Sequence, residues 1–170
     1  MSILVNILLC CLLGLIFYQD LKYRAIHVGL LVMVFFLSFV LAYFETGSLL
    51  SALYPILFVG LVLILLWTYF SIKSQRIDNQ LLSRIGLGDV FFFFAISPLF
   101  HLHNYVIFFI TGMFIAMLYP LIRSQSYREH FIPLAGVLAF YLLVWKGASY
   151  VFEVNLFFEP LFWMPWTILT

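Results

Sequence analysis

The chain has 170 residues, of which 66% are hydrophobic and only 9% charged, and its mean hydropathy is +1.17. A water-soluble domain carries roughly 25% charged residues, so a soluble fold is excluded. A single all-α membrane bundle over residues 1–170 is predicted. The net charge of +1 gives no global electrostatic footprint for nucleic acid.

Six apolar runs follow one another, over residues 3–19, 27–44, 49–72, 85–102, 105–122 and 131–145. Each is close to the ~20 residues that cross a ~30 Å hydrocarbon core. Met1-Ser2-Ile3 offers no basic start for a cleaved signal peptide. Adjacent Cys10 and Cys11 read as two small buried apolar residues, since no paired-cysteine metal spacing exists in the chain. Asp20-Leu21-Lys22-Tyr23-Arg24 forms the first polar loop, and Glu45-Thr46-Gly47-Ser48 is a short turn with good capping residues. Pro55 interrupts the third run, which membrane helices tolerate. Residues 73–84 form the longest polar loop and hold Asp78, read as solvated. His101-Leu102-His103-Asn104 turns the chain over, and Pro133 opens the sixth run at a favourable first-turn position. The tail, 146–170, mixes acids and prolines with Phe, Trp163 and Trp166, and reads as an aromatic interfacial segment or a short re-entrant piece.

Six spans put loops 20–26, 73–84 and 123–130 on one side of the membrane. Those loops carry Lys22, Arg24, Lys73, Arg76, Arg84, Arg123 and Arg128, and only Lys146 lies on the other side. The positive-inside rule makes the three loops cytoplasmic and puts both termini outside a cytoplasmic membrane.

Two acids then fall at one membrane face. Asp20 ends the first run, and Asp89 opens a Phe-rich run with no Asp, Glu, Lys or Arg between Val90 and Leu102. An intramembrane carboxylate is costly and points to function. Two carboxylates in one low-dielectric site resist double ionisation, which leaves one acid and one base. Such a pair can activate water against a peptide carbonyl and protonate the leaving nitrogen. The plainer readings are an interfacial Asp20 satisfied by Lys22 or Arg24, and an Asp89 that caps its own helix. Gly86 and Gly88 let a backbone or a substrate come close to Asp89. His101 and His103 form a His-x-His with no evident third ligand. His27 and His130 read as caps or anchors, and Arg123 and Arg128 as lipid-headgroup contacts.

At these residues a resemblance appears. Asp20-Leu21-Lys22-Tyr23-Arg24-Ala25-Ile26 resembles the first-aspartate segment of the prepilin peptidases, the type IV leader peptidases. Gly86-Leu87-Gly88-Asp89 is similar to their GxGD motif, and Ile132-Pro133-Leu134-Ala135-Gly136 falls where the family has an Ile-Pro-Phe segment. The resemblance implies an intramembrane aspartyl endopeptidase that removes the basic leader of prepilin-like or pseudopilin proteins at the cytoplasmic face. It implies Asp20 and Asp89 as catalytic dyad, Gly86, Gly88 and Pro133 as substrate-binding or structural positions, and no metal or organic cofactor. Larger members carry a paired-cysteine cytoplasmic domain and methylate the new N-terminus. Here only a short loop separates Asp20 from His27, so methyl transfer is not predicted. Val90 and Phe91 stand where the family usually has a Lys soon after the second Asp, and Leu134 replaces the Phe after Pro133. Two other classes fit the same acids: an inactive scaffold or assembly factor of this fold, and a small proton-coupled transporter. A transporter would hold its acids near the midplane rather than at one face.

Overall fold

The computed structural model describes residues 2–48, 50–74, 86–122, 133–152, 155, 157 and 158. Among the described residues six α-helices follow in chain order: α1 (Ser2–Tyr23), α2 (Val28–Thr46), α3 (Leu50–Ser74), α4 (Leu87–Ile96), α5 (Leu102–Ile122) and α6 (Leu134–Val151). All but α4 are long and apolar enough to cross a membrane. The protein is a polytopic helical bundle, because a backbone in lipid must satisfy its own hydrogen bonds and a helix does so locally.

α1 lies along α6 and also packs on α2, while α2 packs on α4 and α3 packs on α5. Asp20 meets the start of α6 and Asn6 meets Lys146 near its end, so α1 and α6 run antiparallel. The buried centre is rich in aromatic rings. Phe100 packs within 4.8–6.3 Å, centroid to centroid, of Phe108, Phe157, Tyr105 and Trp145. Phe content therefore serves the core as well as the lipid-facing surface. Cys10 is half-buried and Cys11 exposed, so the expected burial of both is corrected. Adjacent helix residues point about 100° apart, and here Cys10 falls at the edge of the packed face of α1 and Cys11 outside it.

The fourth run is the one that departs most from a simple span. Its α-helix covers ten residues and tightens into a 3-10 turn at Ser97–Leu99. The two pieces together reach roughly 20 Å, less than the hydrocarbon core. Pro98 is the cause, since it has no N–H and crowds the preceding turn. The broken end is repaired by local and distant partners. Ser97 Oγ donates to the Phe94 carbonyl at 2.9 Å, and the Phe100 and His101 amides donate to the carbonyls of Ser97 and Phe157. The tail thus supplies one of the bonds that the break requires, and Phe157 is buried there.

Other boundaries shift. α1 continues through Asp20 to Tyr23, so the acid sits in a helical turn rather than a loop. α5 begins at Leu102, which places His103 and Asn104 in its first turn and leaves a shorter connection than predicted. α6 runs on to Val151 and takes Lys146 into the helix. Pro133 is the N-cap of α6 rather than a residue of its first turn. Trp163, Trp166, His130, Asp78, Arg76, Arg84, Arg123 and Arg128 lie outside the described residues.

Candidate active site

Three helix ends converge at one end of the bundle. α1 closes with Arg24 in the left-handed region, φ 52, and the Arg24 amide donates to the Asp20 carbonyl at 3.0 Å. The next turn is tied back to α1 by the His27 amide, which donates to Gln19 Oε1 at 3.2 Å. His27 Nδ1 then accepts from the Gly29 amide and caps α2. This short tether holds α2 close to Asp20, which is buried, with 6% of its surface exposed. Lys22 turns away and donates to the Tyr18 hydroxyl at 2.8 Å.

Asp89 sits in the first turn of α4, whose N-cap is Gly86. α6 also begins with an N-cap that has no side-chain acceptor, Pro133. The first amides of a helix have no intrahelical acceptor and must find one elsewhere. Here they find the two aspartates. The Ala135 amide donates to Asp89 Oδ1 at 2.9 Å, and the Gly136 amide to Asp20 Oδ2 at 2.6 Å. Both bonds lie at the positions a good N-cap side chain would serve, but the carboxylates come from two other helices. The positive helix end favours them there. Adjacent amides on one turn hold the carboxylates side by side, and Asp20 Oδ1 and Asp89 Oδ2 are the oxygens α6 does not engage.

A Cβ placed on Gly136 would stand 3.0 Å from Asp20 Oδ2 and 3.1 Å from Asp20 Cβ, so the bare backbone is what admits this carboxylate. The two glycines of the GxGD string differ. A Cβ on Gly86 would stand 3.0 Å from Asp89 Oδ2, whereas on Gly88 it would meet Ile26 at an ordinary 3.6 Å. A side chain at position 86 would therefore crowd the Asp89 carboxylate, and one at position 88 would not.

A cavity of about 1120 Å³ opens over the acids. It is lined by Asp20, Asp89, Gly86, Gly88 and Pro133, so every site position expected from sequence reaches one space. Arg24 lines it too. So does one stripe of α5 (Ile110, Met113, Phe114 and Met117), whose residues are exposed at helical spacing. Sequence reading missed this stripe because apolar residues surround every membrane helix. It also missed the amides of Ala135 and Gly136, which are backbone groups. Their sequence signals are a proline with small residues just inside a helix start and the likeness of residues 132–136 to the family's Ile-Pro-Phe segment.

The model of the type IV leader peptidase family matches residues 7–121. The chain belongs to that family. The matched stretch contains Asp20, Gly86, Gly88 and Asp89, and ends before Pro133. The α6 amides lie beyond the matched stretch. No curated protein and no solved structure matches the chain. Among the described residues, no three His, Cys, Asp or Glu side chains are grouped to hold a metal. His101 and His103 lie at the bundle end opposite the acids, where α5 begins.

Proposed function

We propose that the chain is an aspartyl endopeptidase in which Asp20 and Asp89 are the catalytic dyad, acting on leader-bearing prepilin-like proteins at the cytoplasmic face of the membrane. The observation that carries this reading is the gathering of two carboxylates, 69 positions apart in sequence, onto adjacent amides at the floor of one cavity. Membership in a peptidase family supports it.

The chemistry follows from the pair. One carboxylate is ionised and the other protonated. The ionised one takes a proton from a water held between them as the water oxygen adds to the scissile carbonyl. The protonated one gives its proton to the carbonyl oxygen, which forms a tetrahedral diol. Collapse of the diol breaks the C–N bond as a proton passes to the leaving nitrogen. The products are the leader, with a new carboxyl end, and the mature protein, with a new amino end. The apolar stripe on α5 suits an apolar stretch of the substrate beside the scissile bond. The leader's own positive charges keep it on the cytoplasmic side, because basic segments resist translocation.

The test is cleavage in membranes of leader-bearing proteins from the same cell, by the wild type and by Asp20→Asn and Asp89→Asn. Loss of cleavage in each variant, with unchanged expression and helicity, is expected. Cleavage that survives either change overturns the dyad. If the wild type cuts none of the candidates that an active prepilin peptidase cuts in the same assay, the scaffold reading replaces this one.

A further inference from the structure

A second cavity, of about 860 Å³, lies at the end of the bundle remote from the acids. It is bounded by the first turns of α1, the last turns of α2 and α6, and Asn155, Phe157 and Phe158. The peptidase chemistry makes no use of it. Its walls are mainly apolar, and it runs out to lipid-facing side chains such as Ile3 and Tyr150, which are 75% and 88% exposed.

Two opposite charges stand in this apolar space. Lys146 Nζ donates to Asn6 Oδ1 and lies 5.1 Å from the centre of the Phe157 ring. An ammonium has three donors; these two partners are neutral, and the Glu45 carboxylate also acts on Lys146 electrostatically. Glu45 Oε2 accepts from Asn155 Nδ2 at 3.1 Å, and an ionised carboxylate can accept more than one bond. Lys146 is also out of place by charge. The other Lys and Arg side chains described, Lys22 and Arg24, are at the dyad end. A lysine on an apolar helix is costly and marks a site by default.

We infer that this cavity binds a zwitterionic glycerophospholipid, with Lys146 donating to a phosphodiester oxygen and Glu45 accepting from the headgroup amine. The end of spanning helices is the depth at which lipid phosphates lie. A cation at that depth is within reach of a lipid phosphate, and charge-assisted bonds to phosphate are strong. The volume falls in the usual range for small-molecule sites. Apolar walls open to the bilayer suit acyl chains, which a free soluble anion lacks. The carboxylate beside the cation selects an ammonium-bearing headgroup over a plain acidic one.

The test uses the full-length protein in detergent, stripped of lipid, with short-chain phosphatidylethanolamine as probe and thermal stabilisation as readout. Saturable stabilisation is expected, with diacylglycerol of the same chains binding about tenfold more weakly. Lys146→Met is expected to lose about the same factor and Lys146→Arg to retain binding. Glu45→Gln is expected to remove the preference for phosphatidylethanolamine over phosphatidylglycerol. Equal binding of phosphatidylethanolamine and diacylglycerol overturns the proposal, and that comparison needs no variant to fold. Wild-type affinity in Lys146→Met also overturns it. Free phosphoethanolamine binding as tightly as the lipid overturns the lipid assignment. Asp20→Asn is expected to bind the probe as the wild type does, which keeps this outcome separate from that of the dyad.

Discussion

At the residue scale, the two aspartates serve architecture as well as the proposed chemistry. An insertion cost of about 2.5–3.5 kcal/mol for an acid at a helix centre, less near the interface, argues that neutral replacements leave assembly intact. The amide bonds from Ala135 and Gly136 limit that argument, because a replacement must still accept them. Asn retains a carbonyl oxygen and Ala does not. Asp20→Asn is therefore expected to unfold near the wild-type temperature. Asp20→Ala should be less stable than Asp20→Asn by about 0.5–2 kcal/mol, the usual worth of a cap, as thermal unfolding in detergent would show. Glycines give a second contrast. Gly136→Ala drives a methyl into Asp20 and should cost about 1–3 kcal/mol and most of the cleavage rate. Gly112→Ala would approach Leu138 Cδ2 at 2.6 Å, but that is the movable end of a side chain, so its cost should be smaller. Gly88→Ala should fold as the wild type does, since its Cβ has ordinary contacts. Comparable losses for Gly88→Ala and Gly136→Ala would contradict this ordering.

At the element scale, two connections decide where the acids lie. One is the turn after α1, held by the Gln19–His27 bond and by the His27 cap on α2. His27→Ala removes that cap and is expected to cost about 1 kcal/mol, visible as a lower midpoint of thermal unfolding with the spectrum of a folded helical protein. The other is the start of α6. Its N-cap is a proline that cannot cap with a side chain, so the helix depends on its neighbours for acceptors. The six-run pattern made most elements readable because an apolar stretch in lipid has few alternatives to a helix. It did not show that the fourth run breaks at Pro98, because hydropathy does not register a backbone donor that is missing. Nor did it place the repair of that break, which comes from Phe157, 59 positions after Pro98.

At the scale of the whole molecule, the bundle separates two ends. The acids gather where α1 ends and α4 and α6 begin, and the Lys146 cavity lies at the opposite end. The basic residues of the sequence predict that the acid end faces the cytoplasm. Cysteines introduced singly at position 78 and at position 155, after Cys10 and Cys11 are replaced by Ala, test that orientation. A membrane-impermeant thiol reagent added outside intact cells is expected to label position 155 and to spare position 78. Labelling at position 78 from outside would reverse the orientation and move the proposed cleavage to the other face.

Composition and the run pattern by themselves determined that this is a helical membrane protein, because so little charge and so many apolar runs permit no other stable state. The Asp20 segment and the GxGD string also carried the family and named the two acids, since both signals are local and read along the chain. Only the tertiary structure decided how the acids are held. Their partners are backbone amides 116 and 46 positions away, and an amide has the same chemistry whichever residue bears it. Tertiary structure alone also brought Lys146, Glu45, Asn6 and Asn155 into one space, because a cavity is defined by what surrounds it and has no residue of its own in the sequence.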